Sequence, residues 1–159
     1  MHNFLIREAK IDDAELILEF ITELAVYEKM EDQVVATKKS IEEQIFKNKK
    51  ASVIFAVENG KEVGFALYFN NFSTFLGKPG IYLEDLFVKE EYRKKGYGKA
   101  LLTYLATLAK NNGYGRLEWC CLNWNKPSID FYLSLGAEKK DDWTTFRVSG
   151  EQLDKLAKD

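Results

Sequence analysis

The sequence holds one histidine, His2, two prolines and two cysteines among 159 residues. Each scarcity removes a class of chemistry. A single histidine at position 2 leaves no room for a Ser-His-Asp triad, a Cys-His dyad or a histidine-rich metal centre. Catalysis must therefore draw on carboxylates, tyrosine, backbone amides or a bound cofactor, with no metal expected. Cys120 and Cys121 are adjacent, whereas a disulfide framework needs cysteines well apart, so reduced and buried thiols are expected. Long apolar runs are missing as well. Phe4-Leu5-Ile6 is short and followed by Arg7, and nothing approaches membrane-spanning length, so the expected location is cytoplasmic and away from membranes. Charge of one sign is also lacking: 23 basic residues against 25 acidic ones leave a formal charge of −2. No basic face for nucleic acid follows from that balance.

What is present is a globular composition, 46% apolar and 14% aromatic, at the length of one domain with one continuous core. Asn3 to Arg7 reads as a short strand. Asp12 with Glu15 reads as a capping box for a helix carrying Leu16, Ile17, Phe20, Ile21 and Leu24 and ending near Tyr27. A second helix is capped by Thr37 or Ser40. The β-branched run Ser52 to Glu58, the turn Asn59-Gly60 and the alternation of Val63, Phe65, Leu67 and Phe69 predict a hairpin. Asn70 to Gly80 reads as a loop and Ile81 to Val88 as a strand. The spacing of Leu101, Leu105 and Leu108 predicts a helix from Tyr97 to Asn111, stopped by Gly113. Arg116 to Leu122 is an expected strand, and Pro127 and Gly136 bracket a short helix. Asp142 to Val148 is an expected strand and Gly150 to Lys158 a terminal helix. The order predicts one mixed α/β domain over residues 1–159, a mostly antiparallel central sheet flanked by helices.

Arg93-Lys94-Lys95-Gly96-Tyr97-Gly98 stands between a strand and a helix. Glycines there allow positive φ or the close approach of a ligand to bare backbone. Clustered N–H groups and the positive end of the following helix suit a diphosphate, with Arg93, Lys94, Lys95 and Lys99 adding cationic charge. The loop lacks the Gly-Lys-Ser/Thr ending of a P-loop and the third glycine of the dinucleotide fingerprint. By itself such a turn is more often plain turn chemistry.

Context supplies the rest. A strand, Arg-x-x-Gly-x-Gly, an amphipathic helix, a strand and a proline-started helix with a tyrosine resemble the GCN5-related N-acetyltransferases over the whole chain. Residues 23–31, Tyr82-Leu83-Glu84-Asp85-Leu86-Phe87-Val88 and residues 124–132 resemble the diamine branch, which includes spermidine/spermine and thialysine acetyltransferases. The resemblance implies acetyl-coenzyme A as cofactor, an acceptor amine as small-molecule partner, and a homodimer. Cofactor contacts would come from Leu86, Phe87, Val88, Arg93, Lys94, Lys95, Gly96, Tyr97, Gly98, Lys99, Asn125, Pro127 and Ser128. Within that set, the amides of pantetheine would lie along the exposed strand edge at Leu86 and Val88.

An alkylammonium with pKa about 10.4 must lose a proton before it attacks a thioester. The family gives that step to the residue at Glu84, acting directly or through water, with Asp85 beside it. Alternation places Glu84 and Asp85 on opposite faces of an ideal strand, so both line one site only if the strand is bulged there. Tyr132 shares a helix face with Ser128 and Asn125 and is the candidate acid for the departing thiolate; apart from the resemblance it reads as core beside Phe131. Tyr27, Glu28, Glu31 and Asp32, Glu84 and Asp85, and Asp141-Asp142-Trp143 fall where the resemblance places the acceptor. Of these, Tyr27, Glu28, Glu84, Asp85 and Asp142 are the candidate contacts to a cationic amine. The segments near Thr74 to Gly80 and Ala137 to Trp143 look shorter than in the spermidine/spermine enzymes. Acetylation of a protein or peptide amine, and a non-catalytic acyl-CoA-binding module, are the alternatives.

Overall fold

A computed structural model describes residues 3–158; His2 lies outside them. The chain divides into two compact units, one ending at Cys120 and one beginning at Cys121.

The first unit holds five strands, β1 (Phe4–Glu8), β2 (Ser52–Glu58), β3 (Lys61–Ser73), β4 (Lys78–Val88) and β5 (Leu117–Trp119). They lie in sequence order in one sheet. The first three junctions are antiparallel and β4 with β5 is parallel, so the sheet is mixed and mostly antiparallel as expected. Helices α1 (Ala14–Tyr27), α2 (Lys38–Ile41) and α3 (Tyr97–Asn111) accompany it. α2 widens into a π-helical turn over Glu42–Lys47.

The β2–β3 hairpin forms where Asn59-Gly60 predicts it, with φ of 50° and 82° at the two positions, the left-handed pair a type I′ turn requires. The start of α1 differs from expectation: Asp13 holds the N-cap position without a side-chain bond to the helix, and its carboxylate closes the turn before it. Asp13, not Asp12, is the residue engaged there: its carboxylate accepts the Lys10 N–H at 2.8 Å and both terminal nitrogens of Arg7 at 2.8 and 2.9 Å. Arg7 is presented by β1, and neither its reach nor its partner is visible in local spacing. At α2 the cap is Thr37, whose hydroxyl accepts the Ser40 N–H at 3.0 Å.

Asn70 to Gly80 is not a loop. Asn70, Asn71, Phe72 and Ser73 pair with Ile81, Gly80, Pro79 and Lys78, leaving a four-residue turn over 74–77. The breakers are tolerated because they sit at the end of a two-stranded ladder, where proline forfeits only an N–H. The Pro79 carbonyl is still used, by the Gly115 N–H at 3.1 Å. β5 is shorter than the expected Arg116 to Leu122. It pairs only Leu117, Glu118 and Trp119 with Ile81, Tyr82 and Leu83, because β4 loses its regular register just beyond Leu83.

Alternation on β2 divides the core. Val53, Phe55 and Val57, with Phe65 and Phe87, pack against Ala14, Ile17, Phe20 and Leu24 of α1 and Ile41 of α2. Ile54 and Ala56 point to the other face, and α3, which packs on β2, β3 and β4, buries Leu101 and Leu105 completely. Phe20, Phe55 and Phe65 are fully buried, each worth about 1.5–3 kcal/mol of transfer free energy. They hold the sheet as a rigid floor beneath the β4 carboxylates.

The second unit contains α4 (Lys126–Ser134) and α5 (Gly150–Ala157). The strand expected over Asp142 to Val148 is absent, and Trp143 and Phe146 are 74% and 89% exposed. A strand needs a ladder partner, and this unit provides none, so β-rich composition alone does not make one. Among the described residues no helix is long and apolar enough to cross a membrane.

Candidate active site

The decisive irregularity lies in β4. Tyr68 pairs with Leu83 and Leu67 with Asp85, so Glu84 is an extra residue with no partner on β3. A bulge of this kind turns two consecutive side chains towards the same side and reverses the alternation beyond it. Before it, Leu83 shares the face of Tyr68; after it, Asp85 and Phe87 share the face of Leu67 and Phe65. The condition set by the sequence for Glu84 and Asp85 to line one site is therefore met.

The two carboxylates meet a third, Glu28, just past the end of α1. Burial, then the charges of Glu84 and Glu28, push the Asp85 carboxyl up to about 7. Burial, then Glu84, raises Glu28. Among the described residues no lysine or arginine pairs with any of the three. Two partly buried carboxyls, Glu28 and Asp85, under the charge of the exposed Glu84 leave an electrostatic demand for a cation. Among the described residues no cluster of three has a metal-holding arrangement.

Beyond the bulge, β4 has β3 on one side and, among the described residues, no strand on the other, because β5 ends opposite Leu83. The free edge runs through Leu86, Phe87 and Val88. Its last carbonyl, that of Val88, accepts Nε of Arg93 at 2.8 Å. The Arg93 guanidinium lies over the rings of Tyr27 at 4.9 Å and Phe87 at 5.4 Å. Arg93 thus fastens the start of the glycine loop to the strand edge and to Tyr27.

In the loop, Lys94 has φ of 64° and Gly96 φ of 84°, and α3 begins at Tyr97. Left-handed residues before a helix N-terminus gather backbone N–H groups into an anion-binding concavity, and the first turn of a helix has no internal acceptors for its N–H groups. A side chain at Gly96 would meet nothing within 4 Å. Its requirement is therefore the positive φ, and open space lies before the loop. Gly98 is already helical. The Lys95 ammonium turns to the Glu58 carboxylate at 3.0 Å and lies 5.2 Å from the Tyr92 ring.

In the second unit, Asn125 is buried and caps α4, its side-chain oxygen accepting the Ser128 N–H at 3.4 Å, with Pro127 in the first turn. Asn125 and Ser128 therefore have a local task that explains their spacing. Tyr132 is half-buried on α4, its ring 5.5 Å from that of Phe131. Asp142 is exposed. Sequence reasoning missed Glu58 and the fastening role of Arg93, since both depend on residues distant in the chain.

A strand bulge carrying carboxylates, a free strand edge and a left-handed loop leading into a helix follow one another along β4 and into α3. The model of the acetyltransferase (GNAT) family matches residues 17–137, and the chain belongs to that family. It is an N-acetyltransferase that uses acetyl-CoA. The chain is 37% identical to thialysine N-epsilon-acetyltransferase of Sus scrofa, with 99% of each covered. It is 44% identical over 95 residues to L-ornithine N5-acetyltransferase of Arabidopsis thaliana, covering 60% of this chain and 42% of that one. Among solved structures, a Vibrio cholerae integron cassette protein superposes with a TM-score of 0.83 at 31% identity, 98% of each chain covered.

Proposed function

We propose that the enzyme acetylates the primary amine of a small cationic acceptor, a lysine-like amino acid, diamine or polyamine, by direct transfer. The observation that carries this reading is the cation-free cluster of Glu28, Glu84 and Asp85. The names of the thialysine and ornithine enzymes support it, since each describes transfer to a terminal amine on a short side chain.

An ammonium held against the cluster offsets the mutual repulsion of the three carboxylates, so binding and desolvation favour each other. Tyr27 would flank the acceptor as an aromatic wall. Glu84 serves as the base, directly or through one water, and strips the ammonium to the amine that attacks. The Leu86 to Val88 edge and the amides of the glycine loop would hold the cofactor. Bound acetyl-CoA supplies the acetyl group as a thioester with a thiolate leaving group. Tyr132 is assigned the proton given to that thiolate, on the strength of its place in the α4 motif.

Free thiol release from acetyl-CoA, followed across lysine, thialysine, ornithine, putrescine, spermidine and N-terminal peptides, tests the reading. Small amines are expected to exceed peptides in kcat/KM, and Tyr132→Phe to lower kcat about tenfold or more while the KM for acetyl-CoA stays put. Preference for peptides would move the enzyme to the protein-acetylating class. Tight cofactor binding with no thiol released by any amine would reduce it to a binding module, and unchanged turnover in the variant would remove Tyr132 from the chemistry.

A further inference from the structure

Glu58 closes β2 at the hairpin turn, outside every motif that marks the active site. Its side chain is 10% exposed, and one oxygen, Oε1, accepts both from Lys95 Nζ at 3.0 Å and from the Tyr97 hydroxyl. Lys95 and Tyr97 are the two neighbours of Gly96. The left-handed residue at the centre of the glycine loop is therefore gripped on both sides by a single carboxylate standing behind it.

The grip is itself braced. Glu58 pairs with Phe4 of β1, and the Phe4 ring stacks on Tyr97 at 4.4 Å and 6°. Asn59 and Asn3 exchange hydrogen bonds of 2.7 and 3.0 Å that tie the turn to β1. Tyr97 is 4% exposed, and burial, then the bond to Glu58, pushes its phenol up to about 12, so the hydroxyl stays a donor across the working range. Lys95, with its ammonium paired to Glu58 and over the Tyr92 ring, has its charge engaged away from the task its position in a phosphate loop suggests.

We infer that Glu58 is a positioning residue for the coenzyme A diphosphate: through Lys95 and Tyr97 it holds the Gly96 backbone in its anion-binding shape. Lys95 is accordingly a loop anchor and not a phosphate ligand. The inference rests on the use of acetyl-CoA and is independent of the acceptor. Preorganised amides bind an anion without the entropic cost of ordering the loop at each encounter, and the loss of Glu58 restores that cost.

Two acetyl donors, acetyl-CoA and S-acetylpantetheine, which lacks the diphosphate, separate this role from general destabilisation. Glu58→Ala is expected to lower kcat/KM for acetyl-CoA about tenfold or more, the loss of roughly one charge-assisted hydrogen-bond pair. S-acetylpantetheine should be used as before, and the KM for the amine should not move. Glu58→Gln, which keeps an accepting oxygen, should recover part of the loss. In a double-mutant cycle read by calorimetric CoA binding, Lys95→Met should weaken binding in the wild type and do nothing further in Glu58→Ala. An equal fall for both donors would make Glu58 merely structural. Additive losses in the cycle would make Lys95 a phosphate ligand after all, and unaltered CoA binding in Glu58→Ala would overturn the inference outright. The binding arm needs no acceptor, so its failure is distinct from a failure to find the right amine.

Discussion

Two groups of carboxylates in the first unit are treated in opposite ways. Glu58 and Asp13 each meet a cation and a second donor: Lys95 and Tyr97 for Glu58, Arg7 and the Lys10 N–H for Asp13. Glu28, Glu84 and Asp85 meet chiefly one another. A buried charge is stable when it is paired inside the protein. The first group is complete within the protein; the second is not, and the proposed amine would supply the cation it lacks. What separates the two is the bulge at Glu84, which sets consecutive acids side by side where a regular strand would part them.

The contrast is broken most severely at Glu84. Glu84→Gln keeps the shape and removes the proposed base, and kcat/KM for the amine is expected to fall about a hundredfold or more, the usual scale for a positioned general base. CoA binding should be retained, because the loop and the strand edge are untouched. Steady-state kinetics with calorimetric CoA binding check both parts. A variant as active as the wild type would assign the proton to Asp85 or to bulk water.

Much of this arrangement is legible in the residue order. The Asn59-Gly60 hairpin, the span of α3 and the Arg-x-x-Gly-x-Gly loop all follow from local chemistry, namely turn φ angles and a 3.6-residue period. The bulge is only half legible: two adjacent acids in an apolar strand announce a problem, but its solution depends on how β3 pairs. The grip of Glu58 on the loop is not legible at all, since residues 37 and 39 positions apart meet only through the sheet. The failed strand over Asp142 to Val148 and the shortened β5 have the same cause, because a ladder exists only where a partner continues. Pro79 teaches the reverse, that a breaker can be absorbed where pairing is about to end.

Asp85 offers the next largest effect, this time on stability. Its folded carboxyl, at about 7, lies above the ordinary value of 3.8, so the folded state holds the proton more tightly than the unfolded chain. The stability it contributes is complete below pH about 4 and is lost as the pH rises through 7. Asp85→Asn has no proton to lose. The variant should match the wild type near pH 4 and exceed it at pH 8 by up to about 4 kcal/mol, measured by urea denaturation. An equal difference at both pH values would mean that the carboxyl is not strained in the fold, and the electrostatic case for an incomplete cluster would fail with it.

Asp13 should show the opposite sign and the smallest effect. The hydrogen bond from Arg7 is the main reason its carboxyl lies below the ordinary range, with the Lys10 N–H also contributing. The stabilisation is present above pH about 4 and disappears as the pH falls through the folded value. Both partners are partly solvated, so Asp13→Asn is expected to cost about 1 kcal/mol at pH 7 and nothing in strong acid. The same urea experiment that makes Asp85→Asn a gain at high pH should therefore make Asp13→Asn a loss there. Opposite slopes from two aspartates in one unit would show that the sign of a buried carboxylate's contribution follows its partner. If the Asp13→Asn loss persisted unchanged below pH 3, its source would be the bond from the Lys10 N–H alone and the contrast with Asp85 would no longer be one of charge.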